Sequence, residues 1–133
     1  MLSRRKLIAV AAGAGAALLG WRAAFRAVGG APPTPGCGAL AAVCSDLGCP
    51  EPLAKACLRA LPAVEASAGY LTRVILAEMS SAGRDCASAM ALRHSLRDQS
   101  RYDFEHGRIA TVDGWMLSLT ETRLYALAAL LPR

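Results

Sequence analysis

With 133 residues, 54% of them hydrophobic and only 19% charged, the chain has room for one small packed domain and is neither a disordered tail nor a charge-blocked scaffold. Its net charge of +5 comes from residues 1–30, where Arg4, Arg5, Lys6, Arg22 and Arg26 stand without an acid; the other ten basic residues balance the ten acids. A nucleic-acid binder gathers surplus Lys and Arg on one face, and no such run follows residue 30, so nucleic acid is not an expected partner.

The chain opens with Ser3-Arg4-Arg5, then Leu7 and Ile8, then an uncharged Ala/Gly-rich stretch up to Trp21. Twin arginines ahead of a mildly apolar region form the pattern of a twin-arginine (Tat) export signal, which predicts the Tat translocase as a partner and the periplasm as the destination. The apolar run stops at Arg22, short of the ~20 residues of a spanning helix. Residues 1–30 therefore read as a signal peptide or as an N-terminal tether to the inner membrane. Ala27-Val28-Gly29 is the nearest small-x-small triplet for cleavage. Residues 31–36 hold three prolines and form a stiff linker, leaving residues 37–133 as a single helical domain.

Within that domain, Ala, Leu and Val from Gly38 to Leu47 predict a short helix closed by Gly48 in the left-handed position. Pro50-Glu51-Pro52 opens a second, running to about Leu61. Leu61, Val64, Ala68, Leu71, Ile75 and Met79 recur at helical spacing and predict one stripe of a third helix reaching Ser80, before a turn over Ser80-Ser81-Ala82-Gly83. Cys86, Met90, Leu92 and Leu96 predict a fourth helix to about Ser100. Residues 108–117, with Asp113-Gly114 inside, read as a short extended segment or hairpin. Ser118-Leu119-Thr120-Glu121 fits a capping box starting a last helix with Leu124, Leu127 and Leu131 on its apolar face. The expected fold is thus mainly α: a small bundle of four to five helices with a short extended segment or hairpin near residues 108–117.

Five cysteines occur, four of them crowded after the linker. In an exported chain they read first as a disulfide framework of Cys37, Cys44, Cys49 and Cys57, with Cys44 to Cys57 and Cys37 to Cys49 as the attractive pairing and Cys86 as the remaining thiol. The alternative is a metal or iron–sulfur site on Cys44, Cys49 and Cys57, although the spacings of six, four, seven and 28 intervening residues contain no Cys-x2-Cys. A third reading is thiol redox chemistry at Cys49 or Cys86. His94 and Asp98 lie one helical turn apart and, with His106, form a second candidate metal set, weighed against a solvated helix end interleaved with Arg93, Arg97 and Arg101. No cofactor is expected, and a metal remains the alternative. No nucleophile elbow, phosphate loop, dinucleotide glycine pattern or zincin motif occurs, so an enzyme is not the expected reading.

Asp103-Phe104, Gly107, Val112-Asp113-Gly114-Trp115, Leu117-Ser118, Thr120-Glu121 and Arg123-Leu124 together resemble the C-terminal tail of small bacterial proteins that carry Tat signals and have no assigned activity. The resemblance implies export. Trp115 and Leu117 most simply lead the chain into the core; the functional alternative is a docking patch of Asp113, Trp115 and Arg123. The layout is similar to that of small Tat-bearing subunits of membrane dehydrogenases. The expected function is accordingly that of an accessory subunit escorting or stabilising a larger exported, redox enzyme; a small metal- or cluster-binding periplasmic protein is the competing one.

Overall fold

The computed structural model describes residues 37–79 and 88–132. The leader, the linker, the turn at residues 80–83 and Cys86 lie outside the described residues. The described part is mainly helical with one hairpin: α1 (Cys37–Asp46), α2 (Glu51–Ala60), α3 (Ala68–Glu78), α4 (Ala89–Glu105), β1 (Ile109–Val112), β2 (Trp115–Ser118) and α5 (Leu119–Leu130). None of these helices is long and apolar enough to cross a membrane.

The boundaries follow local chemistry. Gly48, just past α1, has φ +60°, the left-handed conformation that ends helices. Pro52 sits in the first turn of α2, where its missing N–H has no helical partner to lose. The hydroxyls of Ser67 and Ser88 accept the backbone N–H groups of Tyr70 and Ala91 to start α3 and α4. At the end of α4, Gly107 has φ +67°, with its N–H on the Phe104 carbonyl and the Arg108 N–H on the Asp103 carbonyl. These two bonds make a Schellman motif, which closes α4 after Glu105, beyond the expected stop at Ser100.

Two predicted stripes are corrected. Leu61 and Val64 do not belong to the third helix: the chain turns over Pro62, Glu65 N–H returns to the Pro62 carbonyl at 2.8 Å, and Val64 is 79% exposed. Proline disfavours helical conformation in the residue before it, and Ser67 supplies the cap that starts the helix later. Met90 is likewise exposed; the buried stripe of α4 is Leu92, Leu96, Ser100 and Asp103.

The core is built around α5, which contacts every other helix and both strands. It is consequently buried almost all round: Thr122, Tyr125 and Ala126 are as enclosed as Leu124 and Leu127. Leu40 of α1, Cys57 of α2, Leu71 and Ile75 of α3 and Leu92 of α4 pack into the same cluster, closed by Val112 and Leu117 of the hairpin. In that hairpin Val112 faces Trp115 and Thr111 faces Met116 in antiparallel register. Asp113 (φ +48°) and Gly114 (φ +79°) form its two-residue turn, the pair of positive φ values that matches the twist of the flanking strands.

Candidate functional site

The C-terminal motif folds into a buried polar junction between α4, the hairpin and α5. Asp103 is 0% exposed, and its Oδ2 accepts the Thr120 N–H at 2.8 Å and the Thr120 hydroxyl at 2.6 Å. Its Oδ1 accepts Gln99 Nε2 at 3.4 Å and lies 3.5 Å from Arg108 Nε. A carboxylate from α4 therefore caps the first turn of α5, where unpaired N–H groups and the helix dipole favour negative charge. Beside it the capping box is complete: Ser118 Oγ accepts the Glu121 N–H at 3.0 Å, and a Glu121 carboxylate oxygen accepts the Ser118 N–H at 2.8 Å. The hydroxyls of Ser100 and Ser118 meet at 2.8 Å, tying α4 to the same cap.

A second layer of charge joins α3 to this junction. Arg108 Nη2 donates to both carboxylate oxygens of Glu78 at 2.8 Å, and Arg123 Nη1 donates to Glu78 Oε1 at 2.9 Å. Arg123 Nε lies 3.8 Å from Glu65 Oε2. Desolvation opposes the charged form of Arg108, but the Glu78 hydrogen bonds and the neighbouring carboxylates outweigh it and raise its pKa.

Burial holds the Glu121 carboxyl above its ordinary value, against the hydrogen bonds from Ser118 and Ser100. Between the ordinary value of 4.5 and the raised one, the folded state binds more protons than the unfolded chain, so this group's contribution to stability falls as pH rises through that window. Glu121→Gln keeps an acceptor for the Ser118 N–H and removes the titration. Urea melts from about pH 4 to about pH 7 are expected to show a smaller fall for the variant than for the parent. Identical slopes would contradict this assignment.

No enzyme-like pair of nucleophile and base emerges from the junction, since its carboxylates are occupied in holding helix ends and guanidinium groups. What it presents outward is the hairpin. Ile109 and Met116 lie on the ribbon's outer face and Trp115 on the opposite face beside the turn, each close to half exposed. Trp115, at 47% exposure, does not enter the core as the simpler sequence reading expects, although its cross-strand partner Val112 is buried. Asp113 is exposed in that turn. Arg123, expected on the same patch, is 8% exposed and turned inward to Glu78 and Glu65, so it cannot dock a partner. An open groove of about 380 Å³ lies beside the turn, lined by Glu51, Pro52, Lys55, Arg59 and Asp113, with Lys55 paired to Glu51 at 2.6 Å.

The chain matches no known family, curated protein or solved structure.

The remaining sequence candidates do not converge. The expected disulfides are absent: Cys37, Cys44, Cys49 and Cys57 are thiols, and no pair lies within bonding distance. Cys37 and Cys44 occupy one helix about 10 Å apart by its rise, and Cys44 Sγ faces the Leu124 carbonyl at 4.0 Å. Among the described residues no three His, Cys, Asp or Glu side chains are grouped to hold a metal ion, which removes both proposed ligand sets. His94 and Asp98 are exposed on α4, whereas His106, at the helix end, stacks on Tyr102 with ring centroids 3.8 Å apart and places Nδ1 2.8 Å from the Tyr102 carbonyl. The residues missed by sequence reasoning are Asp103 as a cap, Glu78 and Arg108 as its outer ring, and Ile109 and Met116 as exposed apolar groups. A signal for Asp103 was present: it continues the buried phase of Leu92, Leu96 and Ser100 at helical spacing.

Proposed function

We propose that the protein is a non-enzymatic accessory subunit, exported through the twin-arginine pathway to the periplasm or the periplasmic face of the inner membrane, where it binds and stabilises a larger exported enzyme of the redox class. The observation that carries this reading is the hairpin, a ribbon of eight strand residues that leaves Ile109 and Met116 close to half exposed on one face and Trp115 equally exposed on the other. Single apolar residues on a surface are ordinary, but aromatic and Met side chains gathered on one short element are the composition of an interface core. The inward use of Asp103, Glu78, Arg108 and Arg123 supports the same reading, because it leaves the junction to hold the ribbon rather than to perform chemistry. The Ser3-Arg4-Arg5 leader supports export.

The test isolates the full chain from its native host together with a variant carrying Trp115→Asp and Met116→Asp. A larger exported protein is expected at fixed ratio with the parent and at a level reduced about tenfold or more with the variant, at unchanged melting temperature. A parent protein that is monodisperse and alone would sink the proposal. So would a partner retained equally by both forms.

A further inference from the structure

Three of the four described cysteines stand in the interior, although none takes part in a disulfide. Cys37 and Cys44 of α1 and Cys57 of α2 are buried in the cluster that includes Leu40, Leu71 and Leu127. Joining two cysteines requires Cα atoms about 4.4–6.8 Å apart, and no pair here is at disulfide distance. A bridge made among them before folding would therefore hold α1 and α2 in positions that this core does not permit.

We infer that the fold can be reached only with Cys37, Cys44 and Cys57 reduced, and that their burial then keeps them reduced in an oxidising compartment. The chain must accordingly fold before it is exported. This rests on the proposed export route for its biological setting, since Tat carries folded chains, whereas a chain threaded unfolded would present every thiol to the oxidant.

The competing reaction is thiol–disulfide exchange. In the unfolded chain one thiolate attacks glutathione disulfide, forming a mixed disulfide and releasing one glutathione thiolate; a second chain thiolate then displaces the other glutathione. Two chain thiols are oxidised to one disulfide, and one glutathione disulfide is reduced to two glutathione thiols. In the folded chain the first step has no ready nucleophile at these three positions, because Cys37, Cys44 and Cys57 are buried and burial pushes the Cys44 and Cys57 thiols up to about 12.

The experiment unfolds the reduced full-length protein in guanidinium chloride and dilutes it into reduced glutathione or into glutathione disulfide. Recovery is read from helical ellipticity and a cooperative melt, and disulfides are located by mass spectrometry of unreduced digests. Folded protein is held in glutathione disulfide in parallel. Recovery is expected to drop about fivefold or more in the oxidised arm, with bridges involving Cys37, Cys44 or Cys57, while the same three stay thiols in the folded protein. Equal recovery in both arms overturns the inference, as does a loss whose bridges involve only Cys49 and Cys86, or oxidation of the three at equal rates in folded and unfolded protein. The parent alone decides these outcomes, so no variant needs to fold. Export that persists without the twin arginines would sink the export reading and leave the refolding result standing.

Discussion

Replacing Asp103 with Ala is expected to destabilise the domain by about 3 kcal/mol or more, a large share of the 5–15 kcal/mol that is ordinary for small domains. The reason is the number of groups that lose their partner at once. Thr120 donates both its N–H and its hydroxyl to one oxygen of this fully buried carboxylate, and Arg108 and Gln99 approach the other. Removing the side chain leaves a buried helix N–H and a hydroxyl unsatisfied at the start of α5, around which the whole core is arranged. Asp103→Asn keeps an oxygen for Thr120 and loses the charge facing Arg108, so a smaller loss of about 1–2 kcal/mol is expected. Urea unfolding of the full-length protein at neutral pH checks both. An alanine variant within about 0.5 kcal/mol of the parent would show that the junction is not what anchors α5.

Changing Arg4 and Arg5 together to Lys is expected to lower export about tenfold or more while leaving the folded protein unaltered. The substitution conserves charge, so a leader that acted as a simple electrostatic anchor would tolerate it. A receptor that reads the planar guanidinium fork would not. The measurement is the ratio of periplasmic to cytoplasmic protein in a host with a working Tat translocase, with melting temperature as the control. Undiminished export would sink the twin-arginine reading.

Several features were legible because their causes are local. Gly48 ends α1, Pro52 begins α2 and Ser118 with Glu121 caps α5 through side chains acting on backbone within a few residues. The Asp113-Gly114 hairpin turn is of the same kind, since two residues alone set its twist. The third helix was drawn too long for the converse reason: apolar spacing continues through Leu61 and Val64, and periodicity by itself does not register that Pro62 has already broken the backbone.

The cysteines and the charged residues needed the tertiary structure. Their spacing in the chain is compatible with bridges, ligands or plain burial, and only the packing of α1 and α2 under α5 decides for burial as thiols at Cys37, Cys44 and Cys57. Arg123 reads from sequence as a surface anchor, yet it is drawn inward by Glu78 and Glu65, which lie 45 and 58 positions before it. By itself the sequence determined where α1 closes, where α2 and α5 begin and where the hairpin turns, because those depend on neighbours in the chain. What only the tertiary structure decided is which side chains face inward and which are left outside: Asp103 as the buried cap of a distant helix, and Trp115 and Met116 exposed on the ribbon. Helical spacing marks Asp103 as sharing the buried phase of α4, but the partner it meets there is settled by the contacts of elements remote in sequence.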